Sequence, residues 1–249
     1  MRWRIDLSYL GREYCGWQKQ PGDITIQQTL EEAFSTILRE QVEITGCGRT
    51  DAGVHARSYT AHLDISSSIL ARKFLYQINS ILPLDIAVQS ISEKDHQFHA
   101  RHSAVERHYK YYIHFEKNPF LREQSFYFNQ NTELDMMAMQ EVALLIKKYT
   151  EFLPFCKTGS DVEHYKCNIT ESLWVFEEGK ATFSIKANRF LRGMVRLIVG
   201  TCLNAGLGKL NGKTIQECLD LQVPLPVQWS VPPEGLFLEG VVYPEDIIL

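Results

Sequence analysis

The sequence predicts an α+β protein made of two ferredoxin-like halves, each of β-α-β-β-α-β order, whose antiparallel sheets join around a central cleft. Three observations carry this expectation. Trp3, Ile5, Leu7 and Tyr9 alternate with Arg2, Arg4, Asp6 and Ser8, the period of a strand with one buried face. Strand and helix patterns then succeed one another up to residue 91 in that order, and a similar order recurs after residue 104. The repeat is one of topology, without matching letters. It divides the chain into an N-terminal α/β domain, 1–104, and a C-terminal α/β domain, 105–249.

Each element has its own signal. Thr25 and Gln28 form a capping box ahead of Ile26, Leu30, Phe34, Ile37 and Leu38, which recur at helical spacing. Residues 42–47 form a short strand, and residues 58–65 a longer one with Tyr59, Ala61, Leu63 and Ile65 on one face. Residues 69–82 are helical until Pro83 stops them, and a strand over 86–91 closes the first half. In the second half 109–115 is strand-like, and 134–149 is a helix through Met137, Val142, Leu145, Ile146 and Tyr149. Strands 166–176 and 180–187 flank Glu177-Glu178-Gly179, a hairpin signal. A helix over 190–205 stops near Gly206 and Gly208. A short helix over 213–221, a Pro-rich connection and a final strand over 236–243 complete the chain.

Composition sets limits. The 249 residues are 45% hydrophobic and 22% charged, ordinary for a folded globular protein. The opening MRWRIDLSYL lacks the apolar core of a signal peptide, and no stretch of about 18 residues escapes charge, so a cytosolic protein without a membrane span is expected. Six scattered cysteines include no CxxC pair, which predicts reduced, structural thiols rather than a metal or redox motif. The formal net charge of −4 is spread evenly, 11 basic against 12 acidic residues up to residue 104 and 15 against 18 beyond it. Any polyanion must therefore be held by a local basic surface.

Residues 46–56 read GCGRTDAGVHA, with Asp51 between Arg49 and Arg57. A dinucleotide loop needs a third glycine where Asp51 stands and a helix where a strand follows, and a P-loop needs Gly-Lys-Ser/Thr. Neither is present. What remains is a carboxylate kept ionised by neighbouring cations, available as a nucleophile or base, or else a turn cap in a plain connecting loop. The run from Arg101 to His114 interleaves Arg101, Arg107 and Lys110 with tyrosines against the single acid Glu106, a pattern suited to phosphates. Tyr109, Tyr111 and Tyr112 also fit ordinary strand packing, and Arg196 fits a snorkelling charge on an apolar helix. His96, His99 and His102 lack a completing carboxylate or cysteine for a metal set. His55 reads as a loop-ordering hydrogen-bonder.

GRTDAGVHA closely resembles the catalytic motif of the tRNA pseudouridine synthase A family. Tyr14-Cys15-Gly16-Trp17-Gln18 resembles its YxGWQ element, and Phe98-His99-Ala100-Arg101 with Ser103-Ala104 and Arg107-His108-Tyr109-Lys110-Tyr111 is similar to its FHAR..SA...RxYxY run. Phe190-Leu191-Arg192-Gly193-Met194-Val195-Arg196 resembles its F-x-x-x-M-V-R helix, and Gly235-Leu236-Phe237-Leu238 with Tyr243-Pro244 its closing strand. The resemblance implies the pseudouridine synthase fold and a cytoplasmic homodimer. It also implies conversion of uridine to pseudouridine at positions 38, 39 and 40 of the tRNA anticodon stem-loop, without cofactor or metal. It makes Asp51 the catalytic acid, Tyr109 the aromatic packed on the target base, Arg196 the cation paired with Asp51, and Leu236 a pocket-lining residue. Phe152-Leu153-Pro154-Phe155 departs from a usual polar F-[ST]-S-F, and Cys47 from a usual alanine, which predicts altered packing with catalysis unaffected.

The reaction suits these residue types. It breaks the C1′–N1 bond and makes C1′–C5 with no net redox change. A carboxylate adds to the base or to C1′, or removes the C2′ proton, and each route needs it ionised and desolvated. Asp51 beside Arg49 and Arg196 meets that need. The base must also leave its stack, and Tyr109 is the wall that receives it. Two other classes fit parts of the pattern: a non-catalytic RNA-binding module, and a hydrolase that uses Asp51 to release the base.

Overall fold

The computed structural model describes residues 1–66, 71–129, 133–157, 159 and 162–246. The chain forms two compact units, one of 1–105 with 237–249 and one of 106–236. The closing segment packs with the first unit, although sequence order places it with the second half.

In the first unit β1 (Arg2–Tyr9) is followed by α1 (Ile26–Leu38), β2 (Ile44–Gly46), β3 (His55–Asp64), α2 (Ala71–Ile81) and β4 (Ile86–Lys94). Strands β1–β4 lie in the order β4-β1-β3-β2, every neighbouring pair antiparallel. The predicted capping box is half-formed: Thr25 Oγ1 accepts from the Gln28 N–H at 3.3 Å and starts α1 where expected. Gln28 itself turns outward to Glu32. Helix α2 was expected from Ile69; that residue and Leu70 lie outside the described residues.

One face of this sheet is apolar, with Ile5, Leu7 and Ala61 fully buried together with Leu30 and Ile78 of the helices, and Phe34 meets Phe74 at 5.4 Å. On the opposite face β3 breaks the expected alternation, because Thr60 and His62 are buried as well. Residues 96–103 and 243–246 cover that face. Tyr243 and Phe98 pack together at 5.2 Å, and the Arg4 guanidinium lies 4.7 Å from the Tyr243 ring. Polar residues there are satisfied rather than solvated: Asp6 accepts from Arg4, Thr60 and Ser90.

The last strand, β9 (Leu236–Val242), pairs with β3 in parallel, His55 opposite Phe237. This corrects the expectation of purely antiparallel sheets. A strand returning after a connection of this length is free to run either way, whereas a short hairpin allows only the antiparallel sense.

The second unit holds β5 (Glu106–His114), β6 (Phe126–Tyr127), α3 (Met136–Ile146), β7 (Ile169–Glu177), β8 (Lys180–Ala187), α4 (Met194–Gly206) and α5 (Gly212–Leu221). Strand β8 lies between β5 and β7, antiparallel to both, and the short β6, absent from the sequence reading, pairs with β5 in parallel. Tyr111, Phe183 and Ile185 are fully buried, with Trp174 nearly so, and α4 is buried on all sides. Helix α4 begins four residues later than expected. Gly193 takes φ +70 as its N-cap, so the chain enters the helix from a left-handed turn that Phe190–Arg192 precede. The departure at 152–155 forms a one-turn 3-10 helix, Leu153–Phe155, with Phe152 as its N-cap; Phe152 and Phe155 are fully buried, 6.3 Å apart.

Candidate active site

The loop 46–54 is short of regular structure but rich in anchors. Trp17 N–H donates to the Thr50 carbonyl at 3.2 Å and Gly53 N–H to the Tyr14 carbonyl at 3.3 Å. Two motifs separated by more than thirty residues are thereby paired backbone to backbone. Gly16 is required for this approach: its φ is +89, and a Cβ there would stand 2.5 Å from the Thr50 carbonyl oxygen. Asp51 closes a turn, its carbonyl accepting from Val54 N–H at 3.2 Å, and its side chain is half-buried.

An aromatic buttress stands behind the loop. Trp17 stacks on Tyr59 at 4.0 Å, and Tyr9 adjoins Tyr59 at 5.5 Å. Both hydroxyls are used: Tyr59 donates to the Gly48 carbonyl at 2.5 Å, and Tyr9 shares a hydrogen bond of 2.8 Å with Thr50 Oγ1. His55 Nδ1 accepts from the Gly11 N–H at 3.0 Å, the loop-ordering role expected of it. Every polar group named here fixes the backbone on both sides of Asp51, so the carboxylate is held by the fold rather than by its own flexible neighbours.

The flanking arginines are engaged. Arg49 is exposed and its Nε donates to Gln18 Oε1 at 3.1 Å. Arg57 lies on β3, where its guanidinium sits 4.9 Å from the Phe237 ring and 3.4 Å from Glu239. Arg101 is exposed in the turn 96–103 that covers the polar face of the first sheet. In that turn His99 Nδ1 accepts from the Arg101 and His102 N–H groups at 3.2 and 3.3 Å. His99 thus organises the turn. Among the described residues no group of three or more His, Cys, Asp or Glu side chains is placed to hold a metal ion.

In the second unit the basic and aromatic run divides. Period-2 alternation along β5 puts Arg107, Tyr109 and Tyr111 on one face and Glu106, His108 and Lys110 on the other. Tyr109 is half-buried, opposite Ile185, with its ring edge-on to Phe190 at 5.3 Å. Arg107 donates to the Asn188 carbonyl at 2.7 Å. The residues just before α4 therefore meet the start of β5, as the two quoted motifs would need. Tyr111 is core: burial, aided by Glu234 and opposed by Arg196, pushes its phenol up, and its hydroxyl donates to the Pro232 carbonyl at 2.8 Å. Lys110 shares its face with a polar cluster in which Glu171 accepts from Ser184 and Lys186. Burial opposes the ionisation of Glu171, but those hydrogen bonds outweigh it and hold its carboxyl below the usual range.

Arg196 is on the first turn of α4, half-buried, with Nε donating to the Val231 carbonyl at 2.6 Å. Leu236 opens β9 and is buried. Asp51, Arg49 and Arg101 thus belong to the first unit, and Tyr109, Arg107, Lys110, Arg196 and Leu236 to the second. Tyr9 and Tyr59 were read from sequence only as buried strand positions and Tyr243 only as part of a motif, and His62 was not singled out; none was expected to anchor a loop. Their only signal there is a polar tip on a residue otherwise placed for burial.

A family model described as tRNA pseudouridine synthase matches residues 7–103 and 150–244. A tRNA pseudouridine synthase A of Azobacteroides pseudotrichonymphae is 41% identical over 243 residues, covering 98% of this chain and 97% of its own. Its counterpart in Porphyromonas gingivalis is 40% identical, covering 100% and 99%. One from Bacillus subtilis is 33% identical, covering 98% and 99%.

Proposed function

The chain belongs to the tRNA pseudouridine synthase family, and on that premise we propose that it converts uridine to pseudouridine at positions 38, 39 and 40 of the tRNA anticodon stem-loop, with Asp51 as the catalytic carboxylate. The observation that supports this most is the anchoring of the loop 46–54. Backbone bonds from Tyr14 and Trp17 and hydroxyls from Tyr9 and Tyr59 fix the loop on both sides of the half-buried Asp51.

In the reaction the C1′–N1 bond breaks, C1′–C5 forms, the C5 proton leaves and N1 is protonated, so composition is unchanged and no redox partner or cofactor is consumed. Asp51 acts on the extruded nucleoside, Tyr109 is the wall against which the base packs, and Arg196 is the cation paired with the acid. Arg49, Arg101, Arg107 and Lys110 contact the RNA, and Leu236 lines the pocket. In this reading residues 1–104 supply the acid, and residues from 105 onward supply the aromatic and the second cation. The protein works as a homodimer in the cytoplasm, where its substrate is processed. No helix among the described residues is long and apolar enough to cross a membrane.

Tritium at C5 of uridine in tRNA tests the reading directly. The protein should release it, and the product should keep the substrate's mass. Release of free uracil would instead mark a glycosidic hydrolase, and tight, salt-sensitive binding without release a passive RNA-binding module.

A further inference from the structure

The turn 96–103 is clasped at one peptide. Ala100 is fully buried, and both of its backbone polar groups are taken by side chains from distant elements. Its N–H donates to His62 Nδ1 on β3 at 3.2 Å, and its carbonyl accepts from the Tyr243 hydroxyl, just past β9, at 2.7 Å. Arg2 fixes the approach, donating to the His96 and Phe98 carbonyls at 2.7 and 2.9 Å. Ser103 fixes the exit through two bonds with the His99 backbone, each 2.9 Å. The next residue after this clasp is Arg101, exposed and carrying the turn's charge.

His62 is built for acceptance. A backbone N–H can only donate, so Nδ1 must keep its lone pair and the ring must be neutral. Burial, then the charges of Arg2 and His99, push its pKa down to about 4, so the acceptor persists at neutral pH. The ring lies 4.8 Å from His99, the residue whose Nδ1 gathers the Arg101 and His102 amides.

We propose that His62, with Tyr243 as its counterpart, is a positioning residue that sets Arg101 for contact with RNA phosphate, and so governs substrate affinity without taking part in the chemistry. The proposal rests on the reading of the chain as an RNA-modifying enzyme. A side-chain clasp on one buried peptide fixes the direction in which the following Cβ leaves the surface, and so favours one geometry for a charge-assisted guanidinium–phosphate contact.

The test uses full-length protein, tritium release from tRNA, and direct tRNA binding at several salt concentrations. Arg101→Ala should raise KM about tenfold and reduce the slope of log affinity against log salt by about one. His62→Leu should reproduce both changes with kcat within about twofold, and should add nothing when combined with Arg101→Ala. His62→Asn, whose Oδ1 can stand where Nδ1 accepts, should restore most of the affinity. Tyr243→Phe releases the same peptide from its carbonyl side and should shift KM in the same direction, which keeps the test open should His62→Leu fail to fold. Full additivity of the Leu and Ala changes, no rescue by Asn, an unmoved KM in Tyr243→Phe, or a fall in kcat alone would each overturn the proposal. Should the wild-type protein release no tritium, the enzymatic reading fails by itself, and the binding arm still decides the clasp.

Discussion

The two units carry their candidate site residues in opposite ways. In the first, Asp51 and Arg101 sit on irregular backbone held by side chains from far away in sequence. In the second, Tyr109 and Arg196 sit on a strand and a helix, whose repeat sets the face each takes, with Arg196 held further by the Val231 carbonyl. The difference teaches that a loop-borne group depends on bonds that can be removed one at a time, whereas an element-borne group is lost only with its own side chain or with the core.

The largest effect should come from the loop-borne acid itself. Asp51→Asn should lower tritium release by roughly 10³-fold or more while tRNA binding stays within a few-fold. Loss of binding with it would move Asp51 from chemistry to recognition. Next comes the element-borne cation: Arg196→Ala should slow the chemical step more than it weakens RNA affinity, and equal losses would count against its service to the acid.

Support for the loop can then be removed without touching the acid. Gly16→Ala forces a Cβ against the Thr50 carbonyl at positive φ, and should cost about 1–3 kcal/mol in urea unfolding and depress kcat. Tyr59→Phe deletes one hydroxyl bond to Gly48 and should cost about 1 kcal/mol, with a several-fold fall in kcat and little change in KM. If both variants retain full kcat, the buttress is structural only, and the contrast between the units is weakened.

The smallest effect is one of pH. His62 has its folded-state pKa depressed to about 4, from an ordinary 6.5. The unfolded chain therefore binds the proton first, and stability should fall as pH drops from about 6.5 toward 4. His62→Asn should flatten that part of a Tm against pH curve; an unchanged curve would mean that His62 is more solvated than its burial implies.

Much of the fold is legible in the letters. Alternation in β1, the Thr25 cap of α1, the stop at Pro83 and the hairpin at Gly179 are local matters, and each is found where its local rule places it. Local rules fail where tertiary cover intervenes. Thr60 and His62 look like solvent-facing positions of a half-buried strand, yet both are buried by segments that return from residues 96 and 243. The parallel pairing of β9 with β3 is likewise settled by a partner nearly two hundred residues away.

The site divides along the same line. Its candidate residue types, an aspartate among glycines and arginines, an aromatic in a basic strand and a cation on an apolar helix, were set by the sequence, because residue chemistry is a property of the letter. Which face of β5 each takes followed from a period of two. The anchoring of Asp51 and the clasp on Ala100 were decided only in three dimensions. A hydrogen bond between a hydroxyl or an imidazole and a particular backbone group depends on where two remote segments come within about 3 Å, and no pattern within either segment records that meeting.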